Sequence, residues 1–160
     1  MKAMKRSQGS NAVAAAAYRA CEKLEIDRPG YGQSKFADYT GKSGWVHSEI
    51  CIPETADESL RNRQTLWNSV ESAETRSNAV VARELVNALQ IEFDHSNQIK
   101  VVRDFVERNF VEKGMIADFS LHDPDPSKFQ KHNQYDDREA AQIAARNPHA
   151  HIMLTTRSVE

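Results

Sequence analysis

The eleven residues from Asn147 to Arg157, NPHAHIMLTTR, alternate strictly. His149, His151, Met153, Thr155 and Arg157 fall on one side of an extended chain. Ala150, Ile152, Leu154 and Thr156 fall on the other, because strand side chains repeat every two residues. Met115 to His122 alternates in the same way. Met115, Ala117, Phe119 and Leu121 are apolar, while Asp118, Ser120 and His122 share the opposite side with Ile116. A parallel strand is apolar on both faces, so two half-polar strands predict an antiparallel sheet. The predicted fold is α+β, with about five antiparallel strands, helices packed on one face and an open, chemically active face opposite.

The rest of the chain supplies the other elements. Ser10 is placed to cap an alanine-rich helix running to about Leu24. Asp27 to Gly44 carries Pro29, Gly30, Gly32, Gly41 and Gly44, and reads as a long loop. Trp45 to Ile52 alternates as a strand and stops at Pro53. Thr55 and Glu58 have capping-box spacing and predict a helix to about Glu74. Val81 to Leu89 is read as a strand. Asp94 or Ser96 caps a helix whose Ile99, Val102, Val106 and Phe110 keep helical spacing, and Gly114 ends it. Residues 124–146 are polar and bear prolines, and are expected to form a surface insertion with a short helix near Asp137–Ala145.

A length of 160 residues suits one domain or part of a longer protein. No apolar run approaches the roughly 18 residues that cross a bilayer. MKAMKRSQGS is basic but has no apolar core behind it, so it does not read as a secretory leader. Cys21 and Cys51 are isolated, which suits a reducing cytosol. Charge is uneven. Met1–Trp45 holds eight Lys and Arg against four Asp and Glu, or about +4, so with a net charge of −2 the remainder carries about −6. A basic first third suits a phosphate backbone, and equally suits a mixed solvated surface.

Chemistry concentrates at the histidines. His149 and His151 point the same way from one strand, and a hairpin-like return would bring His122 beside them. Three imidazoles with open positions make a catalytic type of metal site, better suited to Mn, Co, Ni, Zn or Cu than to Mg or Ca. Asp118, on the same strand face as His122, is a candidate to orient a histidine through its second nitrogen. A solvated polar face remains the alternative. On the first helix, Tyr18 has Ala14, Ala15, Cys21 and Glu22 as helical neighbours, so its ring is unobstructed. A tyrosine there is either a packing residue or a nucleophile, and a nucleophile needs a nearby base or cation.

Tyr18 in SNAVAAAAYRACEKL, Glu84 in VARELVNAL, His122 in GMIADFSLHD, and His149 and His151 in NPHAHIMLTTR together resemble the MobA/MobL family of plasmid relaxases. These are HUH endonucleases, named for the histidine–hydrophobic–histidine motif. The resemblance runs from about Ser10 to Arg157, and DYTGKSGWVHSEICIP and LWNSVESAETRSNAVVAREL also look like family segments. It implies a metal-dependent transesterification on single-stranded DNA at an origin of transfer, in the cytoplasm of a bacterium. Tyr18 is then the nucleophile, and Glu84 accepts or orients its proton. His122, His149 and His151 hold a divalent ion, one of Mn, Mg, Zn, Ni or Co. Accessory mobilisation proteins and a coupling protein are the implied partners, with no membrane insertion.

Arg19, Lys23, Arg83 and Arg157 are candidates for phosphate contacts, and Tyr31, Phe36, Tyr39 and Trp45 for stacking on unpaired bases. The chain departs from the family pattern at its start. MKAMKRSQGS is short and polar where relatives open on an apolar, central strand, so that strand is expected to be cut down or missing. Two other readings stay open: a non-catalytic DNA-binding derivative of the family, and an unrelated tri-histidine phosphoesterase in which Tyr18 is structural.

Overall fold

The structure is a computed structural model and describes residues 1–30, 32–125 and 146–159. Tyr31 and the helix expected near Asp137–Ala145 lie outside the described residues. Five strands form one antiparallel sheet: β1 (Lys2–Lys5), β4 (Trp45–Cys51), β5 (Val80–Ala88), β6 (Ala117–His122) and β7 (His149–Leu154). Their order is β1-β5-β7-β6-β4, so the HxH strand is central. The first strand is present and lies at an edge, paired with β5. Lysines at both of its ends are what an edge strand tolerates and a central strand does not.

The helices divide between the two faces instead of gathering on one. Helix α3 (His95–Asn109) lays Val102 and Val106 against Ala117, Phe119, Leu121, Ala150, Ile152 and Leu154. These are the apolar positions that the period of two assigned to one side. Phe119 is fully buried there, worth roughly 2–3 kcal/mol of transfer free energy. The opposite face, with Asp118, Ser120 and the histidines, is covered at one end by α1 (Ala12–Ala20) and α2 (Arg63–Ala73). Leu66 and Trp67 of α2 and Val13 and Ala16 of α1 pack with Ile50, Ile116 and Met153.

Local chemistry moved several boundaries. Asn11, not Ser10, caps α1, its side chain accepting from the Ala14 amide at 2.9 Å. The helix stops at Ala20 because Cys21 turns left-handed (φ 54°). The chain then forms a two-stranded arm, β2 (Lys23–Glu25) and β3 (Phe36–Asp38), inside what reads as helix end and loop. A 3-10 turn at Glu58–Arg61 precedes α2, which is capped by Asn62 and not by Thr55. Gly114, at φ 86°, ends the turn after α3 as its position suggested.

Candidate metal centre and nucleophile helix

Register brings the histidines together. His122 and His149 are direct partners across β6 and β7, and Ser120 faces His151. The three ring centroids lie 5.1–5.6 Å apart, and the closest set of ligand atoms falls within 4.8 Å of one another. Nitrogens that share one ion lie closer together than this, so the rings would move inward to hold one.

Hydrogen bonds fix which nitrogen of each ring is available. His122 donates from Nε2 to the Arg19 carbonyl oxygen at 2.6 Å, and His149 from Nδ1 to the Asn147 carbonyl at 2.8 Å. His151 donates from Nδ1 to Glu84 Oε1 at 3.0 Å. Carbonyls and an ionised carboxylate only accept, so each of these nitrogens carries its proton. The neutral imidazole then has its lone pair on Nδ1 of His122 and on Nε2 of His149 and His151. Committing one nitrogen to an acceptor is how proteins prepare imidazole ligands. Burial pulls His122 down to about 4, opposed by the bond to the Arg19 carbonyl and aided by the nearby Lys42 ammonium. It is neutral near pH 7, as a ligand must be. The donor set fits a divalent transition ion.

Glu84 is the carboxylate that bonds a histidine, a role expected of Asp118 from its place on the strand face. It reaches His151 because Val86 is the direct partner of His151 and Glu84 lies two residues away on the same face. Burial alone would raise its pKa, but hydrogen bonds from His151 and Arg19 hold it at about 2. Both of its oxygens are engaged, Oε1 by Arg19 and His151 and Oε2 by Arg19. Asp118 instead accepts from Arg63, at 2.9 Å from Nε and from Nη2, and from Trp67 Nε1 at 2.8 Å. It joins α2 to the sheet and orients no histidine.

Tyr18 projects from α1, 45% exposed. Tyr39 meets it edge-on with centroids 5.1 Å apart, and Lys42 Nζ sits 3.1 Å from its ring centroid. Lys42 was missed because no spacing rule relates residues 42 and 18. The bond from the Tyr39 amide to the Glu22 carbonyl brings the chain back.

The basic candidates separate. Arg19 is not a free phosphate ligand: Nε and Nη2 grip the two Glu84 oxygens at 2.6 and 2.8 Å. Arg83 is exposed but pairs in register with Leu154, on the α3 side of the sheet, away from the histidines. Arg157 is ion-paired with Glu74 at 2.7 Å. Lys23 is exposed on the β2–β3 arm, its Nζ 5.0 Å from the centre of the Phe36 ring. Trp45 is 49% exposed and is the register partner of His122. Among the described residues no helix is long and apolar enough to cross a membrane.

The model of the MobA/MobL family matches residues 10–160. The chain is 35% identical to the probable conjugal transfer protein TraA of Sinorhizobium fredii, over 95% of this chain and 12% of that protein. It is 33% identical to the mobilization protein MobL of Acidithiobacillus ferridurans, over 99% of this chain and 42% of that one. It thus spans less than half of either relative. A chain solved in work on the molecular basis of vancomycin resistance transfer in Staphylococcus aureus superposes with a TM-score of 0.75 at 30% identity. That match covers 99% of this chain and 69% of the solved one.

Proposed function

Because the chain belongs to the MobA/MobL family, we propose that it is the relaxase domain of a plasmid mobilisation protein. It nicks and rejoins one DNA strand at an origin of transfer through a 5′-phosphotyrosyl intermediate. The observation that carries this reading is three histidines, each with one nitrogen committed and one lone pair free, tied to the helix that bears an exposed tyrosine. His122, His149 and His151 would hold a divalent ion, Mn, Mg, Zn, Ni or Co. Such an ion supplies Lewis-acid stabilisation of charge on a phosphoryl oxygen.

Tyr18 Oη attacks the scissile phosphorus and the bond to the 3′ oxygen breaks. The phenolic proton passes to solvent, which reaches the exposed ring, and the departing 3′ oxygen takes one up as a free hydroxyl. Glu84, gripped by Arg19, holds His151 in place. The phosphotyrosine conserves the bond energy, so attack by a 3′-hydroxyl reverses the step and rejoins the strand. Lys42, Lys23, Phe36, Tyr39 and Trp45 offer cations and ring faces to the single strand. Accessory mobilisation proteins and a coupling protein are the partners this role requires.

The test is a denaturing gel of the protein incubated with manganese and single-stranded oligonucleotides tiling both strands of the replicon that encodes it. The wild type forms a covalent adduct and Tyr18→Phe forms none. An undiminished adduct in Tyr18→Phe removes Tyr18 from the role.

A further inference from the structure

Arg19 touches the histidine cluster from both of its ends. Its guanidinium grips Glu84 through two parallel bonds, Nε to Oε1 at 2.6 Å and Nη2 to Oε2 at 2.8 Å. The same Glu84 Oε1 accepts from His151 Nδ1 at 3.0 Å. The backbone carbonyl of Arg19 accepts from His122 Nε2 at 2.6 Å. The remaining guanidinium nitrogen, Nη1, donates back to the Ala15 carbonyl of its own helix at 2.9 Å, which fixes the side chain along α1. The ion pair is well shielded, with the two side chains 15% and 7% exposed. Two of the three imidazoles are therefore oriented by one residue, and that residue follows Tyr18 directly in the chain.

From this geometry we propose that Arg19 is a positioning residue that makes occupancy of the histidine cluster and the placement of the Tyr18 helix one linked equilibrium. The inference rests on the histidines holding an ion, as in the reading above, and does not need Tyr18 to be the nucleophile. Its physical basis is reciprocity. If α1 must sit in one place for His122 and His151 to present their lone pairs, then an ion that fixes those rings fixes α1 in return. A planar fork matched to a carboxylate does this better than an ammonium, so lysine is not an equivalent replacement. Outer-shell partners of metal ligands are typically worth about 10–100-fold in metal affinity.

The experiment uses the whole chain, without DNA. Mn(II) affinity is measured by calorimetry and the Co(II) visible spectrum recorded for wild type, Arg19→Lys and Arg19→Met. Hydrogen exchange of residues 12–21 is followed with and without Mn(II), and circular dichroism confirms that each variant is folded. Wild type should bind the ion and gain protection across α1. Arg19→Met should bind about tenfold or more weakly, show an altered Co(II) spectrum and lose the metal-induced protection. Arg19→Lys, the milder change, should fall between them and stands in if Arg19→Met does not fold. Wild-type affinity and protection in a folded Arg19→Lys or Arg19→Met overturns the proposal, as does a wild type that binds no ion. The adduct assay separates this from the proposed function. Weakened binding in the variants with no adduct in the wild type keeps the linkage and removes the nicking activity. An adduct in the wild type with unaltered variants does the reverse.

Discussion

Lys42 places its ammonium 3.1 Å from the centre of the Tyr18 ring and donates to the Tyr18 carbonyl oxygen, also at 3.1 Å. A fixed cation beside the proposed nucleophile would attract an incoming phosphate, and its attraction to the ring is worth about 1–2 kcal/mol. Lys42→Gln should therefore slow adduct formation by about tenfold, with Mn(II) affinity near that of wild type. Single-turnover kinetics on an intact single-stranded oligonucleotide that carries the nick site checks this. An unchanged rate would make Lys42 a helix-end contact only.

The histidine cluster is expected to be separable from the fold. His149→Ala removes a partly exposed side chain from the central strand, and surface changes of this kind usually cost no more than about 0.5–1 kcal/mol. Its loss from the ligand set should exceed the roughly 10–100-fold effect typical of an outer-shell partner. Calorimetry should show metal binding abolished and thermal melting in chelator almost unchanged. A chelator should also stop adduct formation in the wild type, and added manganese should restore it.

Asp118 and Arg63 predict a stability effect away from the cluster. Both are buried, 3% and 9% exposed at the side chain, and Asp118 also accepts from Trp67. Arg63→Met strands a buried carboxylate, which costs about 3–5 kcal/mol, or a fall in Tm of roughly 10 °C for a chain of this size. The Arg63→Met and Asp118→Asn double variant should recover part of the loss. Additive losses in thermal denaturation would show that the two groups do not act as a pair.

Histidine placement was legible because strand period and hairpin return are local rules. His122, His149 and His151 share a face by alternation, and apolar Ala117, Phe119 and Leu121 marked the side that α3 covers. Partners distant in sequence were not legible. Nothing within ten residues of Asp118 reveals that Arg63 and Trp67, on another element, claim it before any histidine can. Arg19 reads as one more cation until Glu84 is brought across from β5. The β2–β3 arm escaped because strands of three residues among glycines and prolines show no period. The first strand looked too polar because a central position was assumed for it, and an edge position accommodates its lysines.

Acid stability should report the tie between β4 and α3. Bonds from Arg103, at 2.7 and 2.6 Å, hold Glu49 at about 2 against the opposing effect of burial, with His47 helping. A carboxylate with a depressed folded-state pKa stabilises fully above its ordinary value and loses that contribution as pH falls through the folded one. The window runs from about 4.5 down to about 2. Arg103→Met should lower the unfolding free energy from urea denaturation at pH 7 by about 1 kcal/mol or less, given that Arg103 is 43% exposed. Its stability should also vary less between pH 4.5 and pH 2 than that of the wild type. Parallel pH curves for the two proteins would contradict this.

The most direct test is to locate the covalent bond to DNA. After incubation with manganese and the cognate single strand, the adduct is digested with nuclease and trypsin and its peptides weighed. The predicted result is a nucleotide mass on Ser7–Arg19, SQGSNAVAAAAYR, whose one tyrosine is Tyr18. The same mass on Phe36–Lys42, which carries Tyr39, or on no tyrosine peptide at all, would contradict the account.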